Sequence, residues 1–469
     1  MAILAAEGCT FPISIPLIVI GGGACGSVAA LAAHERGAQV VILERDSVSG
    51  GDTALSSGQI PAAGTKLQRI AGAQDSWEIL ERDLIAKNKG QCDVNVARRI
   101  AQESAGTIDW LVDRHRLPLS SFTGFNYPGN SAPHMHTTPN RLGSELTAAL
   151  SRALVAEGIE TVNFAQVIDF YVTADAKITG VAYVRPNGNR ETVGCEALML
   201  ACGGFGANRE LVRKHIPAMA NAPHHGHEGN DGSAVLWGRQ LGASLKDMGS
   251  FQGHGALCTP HMVHLSWGVF GQGGFQVNCT GARFSNETSG VSEQALKVLG
   301  QPGGVAWAIW DLRCDAIAAQ IHSHVDAQKS GAVRSFSNIK TLADFIGSDA
   351  SALANTIKAV NAYSKGEDAC PWGRDFTKFP PLQPPYLAAK VTGALFHTQG
   401  GLEIDTNARV LRSDGSVFPN LFAGGGAARG LSGPADWGYL PGSGLLTAIN
   451  MGKIAGEFAG SLVVRAARH

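Results

Sequence analysis

What the chain of 469 residues lacks narrows its function first. Charge of one sign is missing: 38 Lys and Arg stand against 39 Asp and Glu, a net charge of −1 without basic runs. Nucleic acid and anionic membrane surfaces are therefore poor partners. No window approaches 18 uninterrupted apolar residues, so there is no candidate membrane span. The nine Cys are scattered and odd in number, with no C-x-x-C, which excludes a disulfide framework, an iron–sulfur cluster and a haem attachment site. The N-terminal MAILAAEGCTFPISIPLIVIGGG lacks a basic leader region, and its most apolar part feeds a strand; a cytoplasmic location is expected.

Glycine, by contrast, is abundant at 59 residues, as expected where backbone must approach a ligand closely. Ile18 to Glu44 reads IVIGGGACGSVAALAAHERGAQVVILE: strand, glycine turn, small-residue helix, strand, acid. Gly21 permits the turn, Gly23 lets a pyrophosphate approach the backbone, and Gly26 lets helix and strand pack closely. The helix start offers free N–H groups and a positive dipole end to a phosphate. Glu44, 18 residues after Gly26, stands where an acid accepts ribose hydroxyls. Ser49-Gly50-Gly51-Asp52-Thr53 and Ser56-Ser57-Gly58 follow. This resembles flavoproteins, whose Gly-Gly pair touches the pyrophosphate, and so points to FAD rather than NAD; a loop that simply needs flexible glycines is the plainer reading.

Farther along, apolar spacing predicts helix from Trp77 to Val112 and from Leu142 to Glu157. Ser121 to Asn140 reads as a loop. Gln166 to Arg185 and Glu191 to Glu196 read as strands around a Pro186–Asn189 turn, followed by a buried strand at Ala197 to Phe205. After Asp247 the texture changes, with helical patterns at Ser292 to Leu299 and Ser351 to Tyr363. The cofactor-type pattern resumes at Val417 to Gly426 and Gly444 to Ala459. The expected fold is α/β, a Rossmann-type FAD-binding domain (1–254 and 386–469) interrupted by an inserted α+β capping domain (255–385).

Eight segments in order, GGGACGSVAALAA, SGGDTALSSG, LACGGFGAN, GNDGSAVLWGRQLGASLKDM, GARFSNE, HTQGGLEIDTNARVL, NLFAGGG and GSGLLTAINMGKIAGE, carry a resemblance. The chain resembles the fumarate reductase and succinate dehydrogenase flavoprotein superfamily, in the soluble branch that includes 3-ketosteroid and tricarballylate dehydrogenases. That resemblance implies FAD contacts at Gly21, Gly23, Ala24, Gly26, Glu44 and Arg45. It implies others at Gly50, Gly51, Thr53, Ser57 and Gly58, and at Ala201, Gly203, Gly425, Ser443 and Leu445. Asp52 stands where membrane-complex members carry their flavin-linking histidine, so the FAD is expected to be non-covalent. Gly426 replaces an acid that the family uses for a cofactor hydrogen bond.

The resemblance also implies a hydride exchanged between flavin N5 and the β-carbon of a C=C bond beside a carbonyl. It places His254 and His397 at carboxylate-binding positions; otherwise a lone histidine is simply a satisfied polar group. Ser266-Trp267 stand for a Thr-Glu pair, Val291 for a proton-delivering arginine, and the segment Trp437–Gly444 for a second substrate arginine. That segment looks closer to ketosteroid dehydrogenases, in which a tyrosine and a glycine N–H hold a ketone. Tyr439, offset by one residue, and Gly444 would then form an oxyanion hole; the alternative for Tyr439 is packing at the domain junction. Tyr127 is a second proton-transfer candidate. Arg283 is either a substrate clamp or a structural ion pair.

The histidine groups at 134/136, 224/225/227 and 322/324 lack metal-ligand spacing, so no metal is expected. The expected function is an FAD-dependent dehydrogenase that forms a C=C bond α,β to a ketone or carboxylic acid and does not act on fumarate or succinate. The alternative is an ene reductase running the reverse reaction on an enone or enoate. Either exchanges electrons with an external acceptor or donor. A non-enzymatic flavin binder would have no use for His254, His397 and Arg283.

Overall fold

Leu17 to Ile20 and Val40 to Leu43 are apolar on both faces, the pattern of strands covered on both sides, and all eight residues are buried. In the computed structural model, which describes residues 1–124 and 126–467, Ser14–Ile20 pairs in parallel with Val40–Leu43 on one side and Arg190–Leu200 on the other. Glu160–Val162 extends the sheet beyond Val40–Leu43, and Val417–Ala423 joins Arg190–Leu200, both in parallel. The antiparallel strands Gln166–Val172 and Ile178–Val184 complete a mixed nine-stranded sheet together with Ala2–Ala5 and Arg409–Leu411.

The chain forms two compact units. Met1–Pro217, Gly226–Phe251 and His397–His469 make the first, and Ala218–His225 with Gln252–Phe396 make the second. The fold class is α/β with an α+β segment inserted in the sequence.

In the first unit, small residues align two helices that carry the nucleotide-binding pattern. Ala24–Glu35 follows the glycine turn, and Ser443–Ala466 is the terminal helix. A Cβ on Gly452 would stand 2.5 Å from the Cys25 carbonyl oxygen, one on Gly456 2.1 Å from that of Ala29, and one on Gly460 2.9 Å from Ala33. The matching four-residue steps make the helices parallel, packed backbone to backbone. The terminal helix starts nine residues, roughly 14 Å at the α-helical rise, before the level of Cys25. Gly456→Ala is therefore expected to destabilise the protein by about 1–3 kcal/mol through overpacking, more than the ~1 kcal/mol of helix propensity that alanine restores. A urea midpoint equal to or above that of the parent would refute the backbone contact.

Several boundaries differ from the sequence reading for local reasons. The helix expected from Trp77 to Val112 is two, Trp77–Lys87 and Val94–Asp113. Lys89 and Gly90 take positive φ, 56° and 70°, and the Asp93 carboxylate starts the second helix by accepting the Asn95 and Val96 amides at 3.0 and 3.1 Å. The strands expected at Glu191 to Glu196 and Ala197 to Phe205 are one, Arg190–Leu200. It is antiparallel to Ile178–Val184 at its start and parallel to Ser14–Ile20 at its end. Inside the expected loop, Met135–Thr137 pairs with Gln59–Pro61 and with Ser120–Ser121.

The second unit is built on a six-stranded sheet ordered Val263–His264, Phe251–Cys258, Tyr386–Thr398, Val305–Asp311, Phe275–Val277, with Arg334–Phe336 also paired to Tyr386–Thr398. Its helices include Val291–Leu299 and Ala350–Lys365. Among the described residues no helix is long and apolar enough to cross a membrane.

Candidate active site

The glycines expected to contact the cofactor at 21, 23 and 26 follow the carboxyl end of the strand Ser14–Ile20 in the first unit. Gly21 has φ +100°, and a Cβ there would lie 2.5 Å from the Ala201 carbonyl oxygen. A Cβ on Gly26 would lie 1.9 Å from the Gly21 oxygen, so only glycine lets this helix meet its strand. Gly23 caps the helix without a side-chain hydrogen bond, and no acid stands in the first turn. The Ala24 amide donates to Thr53 Oγ1 at 3.1 Å, which ties the glycine turn to the short helix Gly51–Leu55 that Gly50 caps.

Glu44 is buried. Its Oε2 accepts the Gly22 amide at 2.7 Å and its Oε1 the Asp46 amide at 3.0 Å, so it holds the turn. Arg45 donates to Gly229 O and to Asp231 Oδ2 at 3.3 and 3.2 Å. Ser57 is exposed, while a Cβ on Gly58 would meet the Leu142 carbonyl oxygen at 2.8 Å. Gly203 lies against Asn230, whose Oδ1 accepts the Gly204 amide at 3.0 Å. Gly425 lies against Cys25. Asp52 accepts the His227 amide and Asn230 Nδ2, both at 2.7 Å, a role that its sequence position alone did not disclose.

The terminal helix also starts without a cap. Gly442 takes φ 85°, with no side-chain cap hydrogen bond and no acid in the first turn. Ser443 is buried and Leu445 half-buried. Two uncapped helix starts, each the positive end of a peptide dipole, fit a cofactor with a pyrophosphate and a second electron-rich group.

His397 and Tyr439 meet beside this second start. Their ring centroids are 5.6 Å apart at 74°. A Cβ on Gly444 would lie 3.1 Å from His397 Nε2 and 3.9 Å from the Tyr439 hydroxyl. Tyr439 is buried, and burial raises its pKa above the ordinary tyrosine value, opposed by the Gly442 and Gly444 amides and the Ser443 hydroxyl. Burial prevails, so the phenol keeps its proton and can donate it in a hydrogen bond. His397 leaves an edge open to solvent, yet the surrounding protein lowers its pKa, opposed by Asp52 and the Thr398 carbonyl. The cluster is thus neutral at neutral pH and rich in donors.

Tyr127 is half-buried. Burial pushes its pKa up to about 12, opposed by the Gln59 side chain and Arg141. Its loop reaches the same region, since a Cβ on Gly129 would stand 2.9 Å from Leu440 Cδ1.

His254 and Arg283 belong to the second unit, where each has partners of its own. His254 Nδ1 accepts the Ala256 amide at 3.2 Å, so Nε2 carries the proton and donates to His264 Nε2 at 2.7 Å. His264 Nδ1 then donates to Ser323 Oγ at 2.8 Å. Burial, with His264 and His225 nearby, holds His254 far below the usual histidine pKa. Trp267, 5.0 Å from the His254 ring, keeps a buried indole N–H without a partner among the described residues. Val291 opens the helix Val291–Leu299 and is buried.

Arg283 corrects the substrate-clamp expectation. Its Nε and Nη2 bind Glu287 at 3.1 and 2.7 Å, Nη2 also reaches Ser285 O, and Nη1 reaches Cys370 Sγ at 3.2 Å. Two of its three nitrogens form a buried ion pair with Glu287, and the third is held by the Cys370 sulfur. Among the described residues, no group of three or more His, Cys, Asp or Glu is arranged to hold a metal ion.

A Rossmann-type sheet with two uncapped helix starts fits a dinucleotide-binding protein. The chain belongs to the FAD binding domain family, matching it over residues 17–444. It is 28% identical over 448 residues to a probable fumarate reductase of Shewanella frigidimarina, covering 94% of this chain and 74% of that protein. It is 27% identical over 441 residues to the urocanate reductase of Eggerthella lenta, covering 90% and 70%. Among solved structures, the open conformation of a flavocytochrome c3 fumarate reductase superposes with a TM-score of 0.82 at 27% identity, covering 98% of this chain and 80% of that one. A 3-ketosteroid Δ4-(5α)-dehydrogenase from Rhodococcus jostii shares the fold, with a TM-score of 0.77 at 23% identity and coverage of 97% and 99%. The superfamily resemblance is borne out, as is an FAD-dependent oxidoreductase acting on CH–CH groups.

The expected direction and the exclusion of fumarate are overturned. Three of these four are named as reductases, of fumarate or of urocanate, while the ketosteroid dehydrogenase shares only the fold. The exclusion rested on two absent arginines. A carboxylate is also held by neutral donors and by a helix N-terminus.

Proposed function

We propose that this chain, with FAD bound non-covalently, reduces the C=C bond of a small α,β-unsaturated carboxylate using electrons from an external donor. The observation that carries this reading is the neutral cluster of His397 and Tyr439 against the uncapped start of the terminal helix. The reductases among its relatives support it.

The glycine turn at Gly21–Gly26, Gly50, Gly51 and Thr53 would hold the pyrophosphate. The amides of Ser443 and Leu445 would face the electron-rich end of the flavin. Bound FAD in its reduced form supplies the hydride for the β-carbon. As charge moves onto the substrate carboxylate, the Tyr439 hydroxyl and a His397 N–H hold the oxygen on which it develops, aided by the helix dipole. Tyr127, protonated up to about pH 12, is the proposed proton donor for the α-carbon.

The test is reoxidation of anaerobic, dithionite-reduced holoenzyme. Fumarate, acrylate and urocanate are added singly, beside a cyclic enone. The expected result is return of the oxidised flavin band with at least one of the acids, together with the matching saturated acid. No response to any acid, or response to the enone alone, would overturn the reading.

A further inference from the structure

The proposed role of His397 depends on which ring nitrogen carries the proton, and a residue outside the expected site decides that. Gln399 lies two positions along, buried at 5% exposure. Its Nε2 stands 3.1 Å from His397 Nδ1, and its Oε1 accepts the hydroxyl of Ser432 at 2.9 Å, a side chain 1% exposed. The backbone of Gln399 is fixed at both ends: its amide donates to Ser250 O at 2.9 Å, and its carbonyl accepts the Gly430 amide at 2.8 Å. Gly430 lies so close that a Cβ there would stand 2.6 Å from Oε1.

The Ser432 hydroxyl donates to Oε1, and the Gln399 NH₂ faces the imidazole. An NH₂ directed at Nδ1 requires a lone pair there, so the ring proton resides on Nε2. A rival lies nearby, since the Thr398 carbonyl oxygen would favour a proton on Nδ1. It stands at 3.4 Å, beyond the usual 2.7–3.2 Å range, and the Gln399 contact prevails. Nε2 is the nitrogen beside Gly444, whose Cβ position also lies 3.9 Å from the Tyr439 hydroxyl.

We infer that Gln399 is a positioning residue: oriented by Ser432, it fixes His397 as the Nε2–H tautomer, so that the ring presents a donor and no lone pair to the substrate carboxylate. The inference rests on the reductase reading for the identity of the ligand, but the tautomer itself is a property of the protein alone. Asp52 and Tyr439 are the other titratable groups facing His397, and both remain in the variants below.

The test begins with parent holoenzyme carrying ¹⁵N-labelled histidine, read by long-range ¹H–¹⁵N correlation without substrate. His397→Gln, which loses one signal set, assigns the resonance. The expected result is a proton on Nε2; a proton on Nδ1, or comparable amounts of both forms, overturns the inference. Gln399→Glu then replaces the NH₂ with an acceptor. It is expected to move the proton to Nδ1, to raise the pKa of His397, and to give enoate turnover a new alkaline limb. In that variant kcat/KM falls at least tenfold as the imidazolium deprotonates and its Nε2 lone pair meets the carboxylate. An unchanged tautomer and pH profile in this variant would also overturn the inference. Because the first measurement needs no turnover, failure of the reductase reading and failure of the tautomer assignment are separable.

Discussion

Tyr439→Phe and His397→Ala are each expected to lower kcat/KM for enoate reduction by about 10²–10³, the range seen when one oxyanion donor is removed. The phenylalanine is the sharper test. Tyr439 is buried against His397 with ring centroids 5.6 Å apart, and Phe keeps that packing while removing only the hydroxyl. FAD content, read from the flavin absorption of the purified variant, should match that of the parent, because neither residue belongs to the glycine turn. The loss should appear mainly in kcat if the hydroxyl acts on charge that develops after binding, and mainly in KM if it holds the ground-state carboxylate. A Phe variant within twofold of the parent in both constants would remove Tyr439 from the site. The double variant should lose less than the product of the single losses, since both donors serve one oxygen.

The glycine turn was readable because its geometry admits so few residues. At Gly26 a Cβ would stand 1.9 Å from a backbone oxygen, and such a constraint writes itself into the sequence at fixed spacing. The parallel strands were legible for a related reason, as burial on both faces leaves an unbroken apolar run. What stayed hidden was tertiary. Gln399 and Ser432 lie 33 residues apart and form one hydrogen-bonded unit, and neither residue type signals a site on its own. Two readings of Arg283 stayed open because its environment includes Arg374, 87 residues from the shared partner Glu287, and no local pattern reports that distance. The direction of the reaction was equally illegible. One constellation of donors serves desaturation and its reverse, because it stabilises a transition state common to both.

That shared partner should dominate stability in the second unit. Glu287 is fully buried, with Arg283 and Arg374 both nearly so. Its Oε1 accepts the Gln276 amide at 3.0 Å and Arg283 Nε at 3.1 Å; its Oε2 accepts Arg283 Nη2 and Arg374 Nη1, both at 2.7 Å. Burial alone would raise the carboxyl pKa, but Arg374 and Arg283 outweigh it and the pKa falls below the usual glutamate range. Glu287→Gln leaves two guanidiniums in a dry interior without a counter-charge. The expected cost is about 3–5 kcal/mol, the penalty for breaking a buried pair by removing one partner. A depressed folded-state pKa means that this stabilisation is present above the unfolded-state value, roughly 4.3, and is lost as pH falls through the folded one. The gap in urea midpoint between parent and variant should thus be constant near neutrality and narrow only in acid. High salt should leave the gap in place, because a pair sealed from solvent is screened far less than a surface one. A variant with an unchanged midpoint, or a gap that closes in salt at neutral pH, would mean that water reaches the triad and that Arg283 has freedom to serve another partner.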